Sequence, residues 1–588
     1  MIQQIEAIEN EQVDDIPLLL VIIKQMGIIE IFNEILEQHG NWEGIAAGYI
    51  IAVWLTYILS TGDHRKNRLQ EWVAEREHTL LYSLDVEEIN ELDFTDDRLG
   101  IILHKLSDDA TWQRGECEVN KRIIKVYDLD LEIARIDTTT ASSYGQITED
   151  GLLQFGHSKD HRPDLGQVKI ASVTLDPLGL PLVTIPVSGQ QADDVLYIPA
   201  IEAARQSLKG KKGILYVGDS KMEALATRSN IARHGEQYLM PLSHKQVNDE
   251  TMRGYLDKWA ALPEEQRVLE QVIIVDEQGE EQKIAEGFTV TVAHQDTYQE
   301  NGKPCTHEWT ERRFIVLSPE YAKKQGEQLE KQLDKSEKAL RQLVKRRRGY
   351  QYPETMQELD GKVCRILVAE GCIAYLKVDI TTDTTTKQKR GYKGRPAGVE
   401  QKTTFHLQIT RQEAHLVEKQ RLLGWRAYAT NAPAEKLALA KAVDVYRDAY
   451  LHEHGYSRLK GKPLSLTPMY LQNDDQMTGL IRLLSLALRV LTLIEFVVRK
   501  QLAEEDSYLQ GVYAGNRNRK TKTPRTETLL AVFKGITLTI IHTGEKEWVH
   551  LKPLTTTQKR ILQLLGLTEE VYLSLVPEFS KVVLKSAN

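Results

Sequence analysis

Cysteine is scarce in this 588-residue chain: the four present, Cys117, Cys305, Cys364 and Cys372, lie far apart and form no CxxC pair. That excludes a cysteine-based zinc site and a disulfide framework, and it fits a reducing compartment. Long uncharged apolar runs are missing as well. "AAGYIIAVWLTYILS" (46–60) falls short of the roughly 20 residues a membrane span requires. "GLIRLLSLALRVLTLIEFVV" (479–498) is long enough but carries Arg482, Arg489 and Glu495, so a buried core helix is expected there and no membrane partner. The opening "MIQQIEAIENEQVDD" is acidic and polar, unlike a signal peptide. No internal repeat and no tract of extreme composition is present. The net charge of −9 speaks against a protein that simply coats nucleic acid. Positive charge is nevertheless clustered in "KRRRGY" (345–350), "KQKRGYKGR" (387–395) and "RNRKTKTPR" (517–525). Phosphate contact needs only such local lysines and arginines, although each run taken alone also reads as a solvated loop.

What is present is ordinary globular material, 41% hydrophobic and 27% charged, in a chain too long for a single core. Residues 1–125 read as helical, with no strand-like alternation. Residues 126–243 change character, and their order is strand, strand, strand, helix, strand, helix, strand. Residues 244–430 mix strands such as "GFTVTVAHQD" and "TTFHLQIT" with the charged helix "YAKKQGEQLEKQLDKSEKALRQLVKRRRG". That helix is expected as an exposed hairpin arm or a short coiled-coil element. Helix returns in 431–505, and 506–588 holds a basic loop, a strand pair around "ITLTIIHTGEKEWVHL" and the helix "TTTQKRILQLLGL". The expected class is α/β, with a β-rich insertion at 244–430.

Three carboxylates stand out. Asp137 follows "ARI" at the end of one strand and Asp219 follows "ILYVG" at the end of another. Ligands of open α/β sheets gather at the carboxyl ends of strands, and two carboxylates meeting there suit hard cations such as Mg²⁺. The plain alternatives are a turn at Asp137 and a helix cap at Asp219. The third is Glu453, in "VYRDAYLHEHGYSRLKG" (445–461). Read as one helix, this stretch puts Tyr446, Ala449, Glu453, Tyr456 and Lys460 on a single stripe. A carboxylate in a core-facing stripe is costly unless paired or bound to metal. A polar, cation-holding cleft therefore explains the stripe better than a solvated face does. His452 and His454 flank Glu453 but point elsewhere around the helix and are not expected as ligands.

This ordered set resembles the DDE transposases of bacterial insertion sequences, in the group with a Y-x2-R-x3-E-x6-K signature. Tyr446, Glu453 and Lys460 match three of its four positions, and Ala449 stands where the arginine is expected. "SGQQAD" (188–193) resembles the group's G-N-x-x-D segment with Gln190 for asparagine, which makes Asp193 a secondary candidate beside its reading as a helix N-cap. "LTPMYLQNDDQMTGLIRLLSLAL", "HGNWEGIAAGYIIAVWL" and "LDFTDDRLGIILHKL" resemble segments of the same families. The resemblance implies a ribonuclease-H-like mixed sheet interrupted by the β-rich insertion, behind a helical N-terminal domain that binds element ends. It implies that Asp137, Asp219 and Glu453 hold two Mg²⁺ ions (or Mn²⁺ in their place) roughly 3.5–4 Å apart. Tyr446, Lys460 and Arg458 would then touch DNA phosphates. The implied partners are double-stranded DNA, as terminal inverted repeats and target, and a second copy of the chain on paired ends. The implied location is the bacterial cytoplasm, at the nucleoid. Two alternatives stay open: a catalytically inactive, transposase-derived DNA-binding protein, favoured by Ala449, and a ribonuclease-H-like nuclease that cleaves without joining strands.

Overall fold

The computed structural model describes residues 5–36, 42–208, 211–275, 279–345, 351–389, 398–448, 450–543 and 546–577. Ala449 and most of the basic runs at 345–350 and 387–395 lie outside the described residues. Among the described residues, no single helix is long and apolar enough to cross a membrane. The chain divides into two compact units, one comprising Met1–Met240, Gln295–His307 and Val445–Asn588, the other Pro241–His294 and Glu308–Asp444.

In the first unit the helix Asp474–Glu504 is the central post. Asp474 and Asp475 in its first turn complement the helix dipole, and its leucine-rich body is buried on nearly every face. Around it pack the N-terminal helices, among them Ala47–Thr61, Asp96–Ser107 and Asp109–Tyr127. Gly479 lets two of these backbones meet, because a Cβ there would lie 2.1 Å from the Leu103 carbonyl oxygen. The three buried charges within the post, Arg482, Arg489 and Glu495, are all matched. Arg482 donates to the Leu106 and Ser107 carbonyls at 2.9 and 2.7 Å, satisfying a helix C-terminus. Arg489 pairs with Glu116 at 2.6 Å, and Glu495 is shared between Arg458 and Arg499.

One strand escapes the sequence reading. β1 (Ala7–Gln12) pairs antiparallel with Thr537–Thr543, which pairs in turn with Lys546–Leu551. Five of the six β1 residues are exposed, so no apolar alternation marks the segment; its backbone ladder and the buried Glu11 carboxylate, which accepts from His78 N–H, Thr79 N–H and the Thr79 hydroxyl, hold it.

The main sheet of this unit contains β2 (Ile133–Ser143), β3 (Gly166–Leu175), β4 (Leu180–Ser188), β5 (Leu215–Gly218) and β6 (Gln237–Pro241), in the order β4-β3-β2-β5-β6. β2, β3 and β4 form an antiparallel meander, while β5 and β6 run parallel to β2. The helix Tyr197–Ser207 connects β4 to β5, and Leu225–Arg233 connects β5 to β6. β3 is buried along its whole length, as a strand covered on both faces must be.

The second unit carries β7 (Glu270–Val275), β8 (Glu281–Glu300), β9 (Lys303–Leu317) and a later strand, Trp425–Thr430, which pairs antiparallel with β9. The charged helix Pro319–Leu343 is neither a free arm nor a coiled coil. Its Leu329, Leu333, Leu340 and Leu343 form a core with Leu359, Val363 and Leu367 of Met356–Ala369 and with Leu376 and Phe405 of a long two-stranded ribbon.

Candidate functional site

β5 ends beside the middle of β2: the strand end expected at Asp137 is not there, because β2 runs on to Ser143 and pairs Asp137 with Ser172 of β3. The last register pair of β2 with β5 is Ile136 with Gly218, so Asp137 and Asp219 each follow one residue later on strands about 4.8 Å apart. Asp219 accepts from Lys221 N–H at 2.8 Å, capping a short 3₁₀ turn, and from the Tyr197 hydroxyl. Burial first, and then the charges of Asp219, Asp137 and Asp193, push the Tyr197 pKa far up, so this phenol stays a proton donor. Asp137 accepts from Thr138 N–H at 2.7 Å and lies 3.4 Å from the Lys159 ammonium. Burial raises its pKa; Lys159 opposes that shift and Asp193 adds to it.

Asp193 makes no side-chain capping bond to the helical turn it opens. It pairs instead with Lys169 at 2.7 Å. Burial acts to raise its pKa, but the Lys169 and Lys159 ammoniums outweigh burial and hold it below the usual carboxylate range. The third acidic group near Asp137 and Asp219 is therefore Asp193.

Glu453 is elsewhere. The stretch expected as one helix is two, Leu439–Arg447 and Tyr450–Lys460, separated at Asp448. Tyr446 belongs to the first, so the stripe is not continuous. On the second helix, His452 and Tyr456 face the sheet. The Tyr456 hydroxyl donates to the Asp137 carbonyl at 2.9 Å and lies 3.0 Å from Ser172 Oγ. His452 bridges Ser172 Oγ through Nε2 and Thr174 Oγ1 through Nδ1, each at 3.0 Å. Lys460 donates to Thr139 Oγ1 at 2.9 Å and Asp160 Oδ1 at 2.6 Å. The helix thus runs alongside β2 with Tyr456 at the level of Asp137. Glu453 precedes Lys460 by seven residues, about 10 Å along the axis. Its exposed side chain lines a separate cavity of about 820 Å³ with Tyr450, Arg499, Lys500 and Arg525. Arg458, expected to face DNA, is buried and engages Glu495 and Glu527, the latter at 2.7 Å. Its guanidinium is committed to the fold.

Whether these residues suit Mg²⁺ follows from the donor set. Asp137 and Asp219 each engage one carboxylate oxygen in the hydrogen bonds above, leaving the other for a hard cation. Among the described residues, however, no group of three or more His, Cys, Asp or Glu side chains is placed to hold a metal ion. Glu453 is turned away, and Lys159 already neutralises Asp137. As folded, the set does not make the three-carboxylate site that two ions need.

Lys159, Asp160, Lys169 and Tyr197 went unrecognised in the sequence. Lys159 and Asp160 lie in the connection between β2 and β3, where no periodicity distinguishes one polar residue from the next.

No family model matches this chain, and no curated protein does. One neighbour among solved structures is the cryo-EM structure of the piggyBac transposase synaptic complex with hairpin DNA. It has 14% sequence identity and a TM-score of 0.22 over 40% of this chain, which spans about half, 53%, of that one. So slight a likeness carries neither fold nor chemistry across.

Proposed function

We propose that this protein is a transposase of a bacterial insertion sequence, with a ribonuclease-H-like core that binds the element's ends, cleaves DNA in a Mg²⁺-dependent manner and transfers strands. The observation that carries this reading is the parallel pairing of β2 with β5, whose last register pair, Ile136 with Gly218, makes neighbours of Asp137 and Asp219. The meander followed by parallel strands supports the core assignment, and the Tyr450–Lys460 helix along β2, with Lys460 at Thr139, supports the match of Lys460 to the signature. In this reading Asp137 and Asp219 are the catalytic carboxylates. Tyr456 holds the β2 backbone at Asp137, and Lys460 is the cation nearest an incoming phosphate. Double-stranded DNA and a second copy of the chain are the partners. Glu453 completes the set only after a movement of its helix, so no step is assigned to it in the present arrangement.

The outward position of Glu453 favours a second reading, a DNA-binding descendant that no longer cleaves. One experiment separates the two. Labelled duplexes cut from either flank of the encoding gene are incubated with the chain, Mg²⁺ and a target plasmid. The transposase reading expects nicked ends and joined products, lost in Asp137→Asn and Glu453→Gln while end binding remains. Binding without nicking supports the inactive descendant. Nicking without joining supports a nuclease. Wild-type cleavage by Asp137→Asn would overturn the site.

A further inference from the structure

The cavity lined by Glu453 is framed by a buried polar network. Thr526 Oγ1 donates to the Leu491 carbonyl at 2.6 Å, and Thr526 N–H donates to Glu495 at 3.3 Å. Arg499 pairs with Glu495 at 2.7 Å and donates from Nε to the Pro524 carbonyl at 3.0 Å. Arg458 joins Glu495 to Glu527. These bonds tie residues 523–527 to the Asp474–Glu504 helix and so set Arg525 in the cavity wall. Arg525 takes no part in the network. Among the described residues, neither its guanidinium nor the Lys500 ammonium has an ion-pair or hydrogen-bond partner, and the Glu453 carboxylate has none either. Burial first, and then the charges of Arg458 and Arg525, lower the His454 pKa below its usual value, so this ring on the same wall stays neutral at pH 7 beside the cations. The rest of the lining includes the aromatic rings of Tyr450, 60% exposed, and Phe496, whose centroid lies 5.9 Å from the Lys500 ammonium.

We propose that this cavity binds a free nucleoside monophosphate, its phosphate on Arg525 and Lys500, its base against Tyr450 and Phe496, and an N–H of the base on Glu453. The volume, about 820 Å³, is that of a small-molecule site, with apolar wall and a few converging polar groups. Two cations with all their donors free call for an anion. A carboxylate with no partner can only accept, so it calls for an N–H donor. Aromatic rings offer their faces to a planar ring. A simple anion would leave Glu453 and the rings unused, and an uncharged aromatic would leave both cations unpaired; a nucleotide satisfies all three at once. The cavity is separate from the Asp137–Asp219 pocket, so ligand binding here and DNA cleavage stand or fall independently.

The test is isothermal titration calorimetry of the full chain with AMP, GMP and CMP in turn, and with inorganic phosphate, adenosine and a single-stranded tetranucleotide. Circular dichroism melts verify that each variant folds. Wild type should bind at least one monophosphate at a single site, more tightly than phosphate or adenosine. Arg525→Gln and Lys500→Gln should each weaken that binding at least ~10-fold, because each removes a charge-assisted bond. Lys522→Gln removes an equal charge outside the cavity lining and should keep the wild-type affinity. Glu453→Gln should change the ranking of the three bases, since an amide both donates and accepts where the carboxylate only accepts. Absence of binding by all three monophosphates would overturn the site, as would equal affinity in Arg525→Gln and wild type or an equal loss in Lys522→Gln. Phosphate or adenosine binding as tightly as the nucleotide would overturn the ligand class, and an unchanged base ranking in Glu453→Gln would overturn the placement of the base. A tetranucleotide that binds where the monophosphates do not would make the occupant a nucleic-acid strand and overturn the free nucleotide.

Discussion

His452 should make this fold acid-labile in a way that one substitution can isolate. The ring is 4% exposed, wedged between the Tyr450–Lys460 helix and β3, with both nitrogens bonded to hydroxyls at 3.0 Å. Burial first, then the charges of Arg135 and Lys159, lower its pKa from 6.5 to about 3. The unfolded chain therefore takes up the proton first as pH falls. Stability is lost progressively below pH 6.5, and the loss levels off near pH 3. At 1.36 kcal/mol per pKa unit the full span is about 5 kcal/mol, and the part incurred between pH 7 and pH 5 is about 2 kcal/mol. His452→Phe keeps a ring of similar size but cannot titrate; its cost, about 1–3 kcal/mol for the hydroxyl partners it strands, does not vary over this pH range. Urea titrations at both pH values, read by pulse-labelled hydrogen exchange in the peptides covering β3 and the 450–460 helix, give the midpoint for this packing unit. Carboxylates titrate equally in both proteins, so the wild type should lose about 2 kcal/mol more than His452→Phe on going from pH 7 to 5. Parallel pH slopes in the two proteins would refute the assignment of a buried, neutral His452.

Three further outcomes follow from the same packing. Arg489→Met strands Glu116 in the core and should cost about 3–5 kcal/mol, visible as a lowered melting temperature; Arg489→Met combined with Glu116→Leu should recover most of that loss. Arg458→Ala should destabilise by a similar amount by leaving Glu495 and Glu527 short of a partner. It should not alter the salt dependence of DNA binding measured by fluorescence anisotropy, and a slope reduced by about 1 would return Arg458 to the phosphate interface. Gly479→Ala drives a methyl group to 2.1 Å from the Leu103 carbonyl oxygen. The helices must separate, at a cost of about 1–3 kcal/mol in a chemical denaturation curve.

Local pattern determined much of this molecule. Apolar runs bounded by turn residues announce β3, β4, β5 and β6, because a strand's burial is written into its own residues. The identity of Asp219 as a strand-end residue is local for the same reason. The long core helix was legible despite its three charges, since the apolar residues around them outnumber any face that could stay wet. β1 was not legible, because it is held by a ladder to residues 537–543 and by polar contacts of Glu11 with His78 and Thr79 rather than by apolar side chains of its own. The candidate site divides along the same line. That Asp219 lies at a strand end is readable in sequence, but that Asp137 sits mid-strand beside it depends on the pairing of β2 with both β3 and β5. Helical spacing places Glu453 and Lys460 on one side of a helix. It does not say which residue stands level with Asp137, and the packing of His452 and Tyr456 against Ser172 and Thr174 sets that height. Lys159 and Asp160 reach β2 only through the folding of the 144–165 connection. Spacing along a chain fixes direction around an axis, whereas height along that axis and the company of a carboxylate are set by contacts between residues hundreds of positions apart.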